Sequence, residues 1–164
     1  MNPSQIRVGL GYDIHPLAAG RPCILGGVSI PSAVGPEGHS DADVVLHAVA
    51  DAILGAAGLR DIGHYFPNND ASIKGLDSAV IVKKAVAEAK ANGGWQVGNV
   101  DVVIIGERPK VMAHVDAMKS KVAEIIGILP SQVGIKATTN EGMDSIGQGK
   151  ALAVQAICLV FKGN

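Results

Sequence analysis

Residues near the N-terminus of the chain have the types and the spacing of metal ligands. Asp13 and His15 follow residues 6–12, whose apolar pattern predicts a strand. Because side chains alternate faces along a strand, the carboxylate and the imidazole point the same way. The candidate for a third ligand is His47, on a helix that is predicted to begin near Ser40. Two histidines and one carboxylate leave zinc an open position for substrate or water.

The sequence leaves a simpler interpretation of these residues open, because it does not show that the two segments meet. A histidine on an apolar helix is often a core residue whose polar atoms are satisfied by neighbours. If a metal binds, the residue types favour zinc, followed by manganese or iron. Asp51 lies one helical turn after His47 and could orient that histidine by a hydrogen bond.

A second polar cluster follows a strand that is predicted over residues 132–137. It consists of Thr138, Thr139, Asn140 and Glu141. Hydroxyl and backbone N–H groups at the end of a strand bind phosphate oxygens, and a glutamate can hold magnesium beside a phosphate. A turn with a helix cap is the alternative for this cluster.

A third cluster, His39 and Ser40, precedes the helix that carries His47. Donors at a helix N-terminus attract anions, so a phosphate could bind there. Ser40 followed by Asp43 also resembles a capping box, and plain capping is compatible with both interpretations. Residues 60–70 contain too many turn formers for a regular element and are predicted as a polar loop that carries function.

Composition limits the class of protein. The 164 residues are 48% hydrophobic and only 3% aromatic, which predicts a single domain over residues 1–164 with an aliphatic core. A net charge of −1 without a basic block disfavours nucleic-acid binding. Cys23 and Cys158 lie in apolar runs and are predicted to be buried thiols. No apolar run reaches transmembrane length and no leader is recognisable, so we expect a cytoplasmic protein without membrane contact.

The predicted elements do not alternate strictly between strand and helix. Helices are predicted up to Ala57 and over residues 78–91 and 115–126; strands are predicted over 6–12, 23–31 with a glycine break, 99–105, 132–137 and 151–161. This order favours an α+β fold, with a mixed four- to five-stranded sheet and helices packed on one face. The apolar last strand then needs a cover on its other face, for which a partner subunit is the simplest candidate.

The sequence lacks the motifs of several common enzyme classes. It has no G-x-S-x-G, no Walker loop, no redox cysteine pair and no G-x-G-x-x-G that opens a helix. A phosphate-handling metal site without a protein nucleophile suggests that a group of the substrate attacks. Positioning and charge neutralisation by two metals would then carry the chemistry.

Seven short motifs are spread along residues 7–162. They are Gly-Tyr-Asp-Ile-His at 11–15, His-Ser-Asp-Ala-Asp at 39–43, Leu-His-Ala at 46–48, Asp-Ile-Gly at 61–63, Phe-Pro-Asn-Asn-Asp at 66–70, Gly-Asn-Val-Asp at 98–101 and Lys-Ala-Thr-Thr-Asn-Glu at 136–141. As an ordered set they resemble the 2-C-methyl-D-erythritol 2,4-cyclodiphosphate synthases of the non-mevalonate isoprenoid pathway.

The resemblance implies a lyase that forms a homotrimer, with active sites between subunits and the other sheet face directed inward. Its substrate would be 4-diphosphocytidyl-2-C-methyl-D-erythritol 2-phosphate. The 2-phosphate would attack the β-phosphorus, giving 2-C-methyl-D-erythritol 2,4-cyclodiphosphate and CMP. The implied cofactors are Zn²⁺, or another divalent metal at the same site, together with Mg²⁺ or Mn²⁺.

The resemblance also implies residue roles. Asp13, His15 and His47 would be zinc ligands, Glu141 the magnesium ligand, and His39 and Thr139 would stabilise the transition state. Asp13 and His15 are also implied to bind the substrate. The residues implied on its methylerythritol-phosphate side are His39, Ser40, Asp61, Ile62, Gly63, Phe66, Pro67, Asn68, Asn69 and Asp70. Those implied on the cytidine side are Gly106, Glu107, Arg108, Pro109, Lys110, Val111, Met112, Thr138, Thr139, Asn140 and Glu141.

One segment departs from the bacterial members of this family. Ser145 stands at the position of a family aromatic, Gln148 at that of an arginine, and Lys150 at that of a glutamate. Substrate contacts are therefore not assigned to Ser145 or Gln148, nor is a ligand to an axial cavity of the trimer.

Two other functions remain compatible with the ligand set. A zinc phosphohydrolase could use the same three residues with a metal-bound water as nucleophile. A non-catalytic trimeric binding module could hold zinc structurally, although structural zinc sites usually have four protein ligands and only three are found.

Overall fold

A mixed five-stranded sheet with helices packed against it forms the body of the protein. The computed structural model describes residues 3–67 and 69–163. The strands are β1 (Ile6–Ala19), β2 (Ile24–Leu25), β3 (Val28–Ser29), β4 (Val34–Pro36), β5 (Trp95–Ile105), β6 (Val133–Thr138) and β7 (Ala151–Lys162). The α-helices are α1 (Val44–Ala56), α2 (Ile62–Tyr65), α3 (Ser78–Ala91), α4 (Val115–Ile126) and α5 (Asp144–Gly147).

The strand order across the sheet is β4-β1-β7-β5-β6, and β2 and β3 form a separate hairpin. Strands β5 and β6 are parallel, whereas the other neighbours in the sheet are antiparallel. The predicted α+β fold with a mixed sheet is confirmed, and so are the helices over 78–91 and 115–126.

Helix α1 packs its backbone directly on strand β1, because β1 has glycines at the contact. A Cβ atom on Gly9 would lie 2.1 Å from the carbonyl oxygen of Ala52, and one on Gly11 would lie 1.9 Å from that of Ala48. The alanines are one helical turn apart and so present one small-residue face to the strand. Side chains at either glycine would separate the helix from the strand.

The opposite face of β1 is apolar and exposed. Because side chains alternate along a strand, the neighbours of the glycines point away from α1. Val8, Leu10, Tyr12 and Ile14 have exposed fractions of 63%, 65%, 49% and 44%, and Ile157 on β7 adds 48%. An apolar sheet face without a cover was predicted from the last strand. The exposed apolar residues of that face lie mainly on β1.

The predicted bounds of three strands were wrong, and one of these strands, β5, begins at Trp95 rather than at residue 99. Strand β1 extends to Ala19 rather than ending at residue 12, so Asp13 and His15 lie within the strand, paired with Val154 and Leu152 of β7. The predicted strand 23–31 is the hairpin β2–β3. Its two glycines adopt positive φ angles of 58° and 74°, which reverse the chain and do not merely interrupt a strand.

The predicted start of α1 was also wrong. The helix begins at Val44, and its cap is Asp43 rather than Ser40. Asp43 is fully buried, and its carboxylate accepts four backbone N–H groups: Val45 and Leu46 of the helix at 3.1 Å, and Gly26 and Gly27 of the β2–β3 turn at 2.9 and 2.7 Å. Burial raises the pKa of Asp43 to about 6, although the N–H groups of Gly26, Gly27 and Leu46 oppose the rise. One carboxylate therefore caps the helix and fixes the hairpin beside it.

The two cysteines are buried and free, as predicted for thiols in apolar runs. Burial raises the pKa of the Cys23 thiol to about 11 and that of Cys158 to about 12. Among the described residues, no helix has both the length and the apolar character needed to cross a membrane.

Replacing Asp43 by alanine should destabilise the protein more than the same change at an exposed cap. Asp77 caps α3 at the surface with one bond to the N–H of Ala79, at 2.8 Å. We expect Asp77→Ala to cost about 1 kcal/mol of unfolding free energy, the usual value of a helix cap. Asp43→Ala should cost about 3 kcal/mol, because buried N–H groups lose their acceptor as well. Urea denaturation at equal protein concentration measures both, and equal losses would contradict the dual role of Asp43.

Candidate active site

Strand β1 and helix α1 bring the three predicted metal ligands together. Asp13 Oδ2 lies 3.0 Å from His15 Nε2 and 2.9 Å from His47 Nδ1. One potential ligand atom from each residue lies within 4.8 Å of the other two. Strand β1 and helix α1, whose contact could not be inferred from the sequence, therefore meet at this site. His47 is buried there, and Asp13 and His15 are half-buried.

The remaining ring nitrogens of both histidines are occupied by other partners. His15 Nδ1 lies 2.6 Å from the carbonyl oxygen of Glu37, and His47 Nε2 lies 2.9 Å from Ser78 Oγ and 3.1 Å from Ser40 Oγ. A carbonyl only accepts, so His15 carries a proton on Nδ1, and its Nε2 is the atom available to a metal. Asp13 Oδ2, His15 Nε2 and His47 Nδ1 thus converge, an arrangement that fits a divalent cation.

Charge at the site also suits a cation. Burial alone would raise the pKa of Asp13, but its contacts with His15 and His47 outweigh burial and lower the pKa to about 2. The same contact with Asp13 raises the pKa of His15 above its usual value. Asp13 is therefore ionised at neutral pH, which is the form that binds a metal.

The predicted role of Asp51 as a partner of His47 was wrong. The Asp51 carboxylate accepts the N–H of Ile62 at 2.8 Å, and so anchors the start of α2 to α1. The residue that contacts the ring of His47 is instead Ser78, at the start of α3. No sequence signal points to Ser78, because it is distant in the chain and a serine there is typical of a helix start.

A cavity of about 310 Å³ opens beside the three candidate ligands. The predicted substrate residues His39, Ser40, Asp61, Ile62, Gly63 and Phe66 line it. Residues 60–70 were predicted as loop throughout, but four of them form α2, whose N-cap is Asp61. Asn69 and Asp70 line a neighbouring cavity of about 320 Å³ that also has His39 in its wall. Pro67 is exposed, and Asn68 lies outside the described residues.

The residues predicted for the cytidine side lie elsewhere. Gly106, Pro109, Lys110, Val111, Met112, Thr138 and Thr139 line a third cavity of about 150 Å³. Its lining in the described part of the chain includes none of the three candidate metal ligands. The predicted site residues of one chain thus form two groups on separate cavities.

Four predicted residues adjoin this lining in the sequence but are not part of it. Glu107 has a buried carboxylate oxygen, Oε1, without a hydrogen-bond partner, and the guanidinium of Arg108 packs against Gly149. Asn140 donates from Nδ2 to Asp144 Oδ2 at 3.0 Å. Glu141 is exposed, with a left-handed φ of 51°, and its N–H donates to Thr139 Oγ1 at 3.2 Å.

The segment that departs from the family pattern contains the short helix α5. Asp144 Oδ1 accepts the N–H groups of Ile146 and Gly147 at 2.7 and 3.1 Å. The bond from Gly147 is the largest of the effects that lower the pKa of Asp144. Ser145, Gln148 and Lys150 are all exposed.

Comparison with known proteins extends over nearly the whole chain. A relative from Methylobacillus flagellatus, named 2-C-methyl-D-erythritol 2,4-cyclodiphosphate synthase, is 51% identical over 158 residues, which are 96% of this chain and 98% of the relative. The structure of IspF from Plasmodium falciparum in complex with CDP matches with a TM-score of 0.85 and 32% identity, over 99% of this chain and all of that one.

A longer protein contains the same fold as one part. The bifunctional IspDF of Campylobacter jejuni matches with a TM-score of 0.93 and 34% identity, over 98% of this chain and 43% of that one. The model of the YgbB family matches residues 6–161. Given this match and the identity to the Methylobacillus relative, the chain belongs to the YgbB family.

Proposed function

We propose that this protein is a 2-C-methyl-D-erythritol 2,4-cyclodiphosphate synthase, a phosphorus–oxygen lyase of the non-mevalonate isoprenoid pathway. It cyclises 4-diphosphocytidyl-2-C-methyl-D-erythritol 2-phosphate and releases CMP. The observation that carries the proposal is the convergence of Asp13, His15 and His47 beside a cavity, in a chain whose relatives bear that enzyme's name.

The reaction needs no nucleophile from the protein. An oxygen of the substrate 2-phosphate forms a bond to the β-phosphorus, and the bond from the β-phosphorus to the oxygen shared with the α-phosphate breaks. That oxygen leaves with CMP, and no water enters the products. The protein has to bring the phosphate anion and the diphosphate together and balance the charge that develops.

Asp13, His15 and His47 would hold Zn²⁺, and Glu141 would hold Mg²⁺ or Mn²⁺. When bound, these ions supply Lewis-acid polarisation of the diphosphate and offset its negative charge. His39 and Ser40 are placed in the cavity wall beside the candidate ligands, where they can donate to a phosphate. Asp61, Ile62, Gly63 and Phe66 would bind the methylerythritol phosphate there.

The second group of residues would bind the other half of the substrate. Thr139 lies in the third cavity, and its hydroxyl would stabilise the transition state together with His39. The 106–112 loop would receive cytosine through its backbone groups, with Thr138 and Asn140 near the α-phosphate. Asn69 and Asp70 would close the methylerythritol side. Pro67 and Asn68 are proposed to bind the methylerythritol side with the rest of residues 66–70. Glu107 and Arg108 are proposed to bind the cytidine side with the rest of residues 106–112.

We further propose that the complete site is made by two copies of the chain in a homotrimer. Support comes from the two separate cavities, each with half of the residues that one reaction needs. Additional support comes from the exposed apolar face of β1, since Val8, Leu10, Tyr12 and Ile14 would be covered at the centre of such an assembly.

A zinc phosphohydrolase is the competing function, and the comparisons do not favour it, because the relatives are named as synthases. The two functions differ in their products. Hydrolysis adds the elements of water, whereas cyclisation does not. Product analysis therefore separates them without reference to any homologue.

Phosphorus NMR of the reaction products should give the signals of a cyclic diphosphate and of CMP. The substrate is 4-diphosphocytidyl-2-C-methyl-D-erythritol 2-phosphate, with magnesium present. We expect neither product to form in the presence of a zinc chelator, and both to form again when zinc is restored, because the ligand set binds the polarising ion. Linear phosphate products would establish the hydrolase and overturn the synthase.

Mixing two inactive variants should restore activity if the site is shared between subunits. His47→Ala disables the metal-ligand group, and Glu141→Gln disables the other group. In trimers assembled at random from equal amounts, about a quarter of the interfaces would combine two intact halves. We expect about a quarter of wild-type activity after joint refolding, measured as CMP release.

The control is a mixture of His47→Ala with His15→Ala. Both changes damage the same half of the site, so no interface regains a full set of ligands, and the mixture should remain inactive. Sedimentation of each mixture reports whether trimers have formed. Trimers of the first mixture that are as inactive as the control would contradict the shared site.

A further inference from the structure

The ring of His47 is held on its far side by Ser78, a residue to which no role has been assigned. Ser78 is the first residue of α3 and is fully buried. Its Oγ lies 2.9 Å from His47 Nε2 and donates a short hydrogen bond to Asp41 Oδ1. The Ser78 N–H donates to Asp41 Oδ2 at 3.1 Å, so the carboxylate holds both the hydroxyl and the backbone of this residue.

The direction of these hydrogen bonds follows from counting protons. The carboxylate oxygens of Asp41 accept the N–H of Asp43 at 3.1 Å as well as both donors of Ser78. The single hydroxyl proton of Ser78 therefore points to Asp41. Only lone pairs of Ser78 Oγ face His47, so Nε2 must carry the proton between them. Ser40 Oγ, at 3.1 Å, can share that proton as a second acceptor.

We propose that Asp41 and Ser78 are positioning residues that fix the tautomer and the orientation of His47 for metal binding. With its proton on Nε2, the neutral imidazole that binds a metal has its lone pair on Nδ1, and the metal would replace any hydrogen-bond proton between Nδ1 and Asp13. Nδ1 is the atom that faces Asp13 Oδ2, at 2.9 Å. The inference rests on the proposed function only in requiring that a divalent metal binds to the three ligands.

The arrangement is not needed to start helix α3. Asp77 already caps that helix, through the N–H of Ala79 at 2.8 Å, and the Ser78 side chain is directed inward instead. Backbone bonds tie the two segments together, from Gly75 N–H to His39 O at 2.8 Å and from Asp41 N–H to Leu76 O at 3.0 Å. The Asp41–Ser78 pair is thus held rigidly behind the candidate metal ligand, as an orienting partner should be.

Zinc affinity of full-length variants tests the proposal. We expect Ser78→Ala and Asp41→Asn to weaken zinc binding by roughly 10- to 100-fold, which is the usual loss when an orienting partner of a ligand is removed. Asp77→Asn is the matched control, because it changes the neighbouring residue on the same helix end and leaves the contacts of His47 intact. Its zinc affinity should equal that of the wild type. Competition with a chromogenic chelator gives the dissociation constants, and melting of the metal-free proteins reports any loss of fold.

A second measurement on the wild type stands even if a variant does not fold. Nitrogen-15 NMR of the zinc-loaded protein should show His47 with a proton on Nε2 and the metal on Nδ1. Binding of the metal to Nε2 would overturn the proposal. It would also be overturned if the Ser78→Ala and Asp41→Asn variants fold and bind zinc as tightly as Asp77→Asn. A wild-type protein that binds no zinc would instead refute the metal site on which the inference rests.

Discussion

The direct contact between helix α1 and strand β1 is the constraint on which the candidate site depends. Gly9 and Gly11 let the helix backbone approach so closely that a Cβ atom at either position would overlap it. The contact between Asp13 on the strand and His47 on the helix spans only 2.9 Å, and it exists because no side chain separates the two elements. Larger residues at these glycines would displace the helix and separate the ligands, whatever the ligand residues themselves were.

Polar side chains then fix the N-terminal end of that helix, where His47 lies. Asp43 holds the first turn and the neighbouring hairpin through four backbone N–H groups, while Asp41 and Ser78 connect the imidazole to α3. Because these groups are buried or half-buried, water competes little for their hydrogen bonds. The opposite face of β1 has the reverse character, apolar and exposed, which suits contact with other copies of the chain.

Much of the fold follows from local patterns in the sequence. The amphipathic helices α3 and α4 have the predicted bounds, and the candidate ligands Asp13 and His15 share a face because strand geometry requires it. The errors arise where tertiary contacts decide. Asp43, not Ser40, became the cap of α1 because its carboxylate also satisfies the N–H groups of a distant hairpin. Asp51 accepts a hydrogen bond from Ile62 rather than from His47. The partner of the His47 ring that was expected to be Asp51 is instead Ser78.

The most direct test of the account is the position of the metal. Crystals of the zinc-loaded protein would be measured at the zinc absorption edge, so that an anomalous difference map identifies the element and its site. We predict one peak within about 2.0–2.2 Å of Asp13 Oδ2, His15 Nε2 and His47 Nδ1, with a fourth position open to the cavity. A zinc peak elsewhere, or a site closed by a fourth protein ligand, would contradict a catalytic metal held by these three residues.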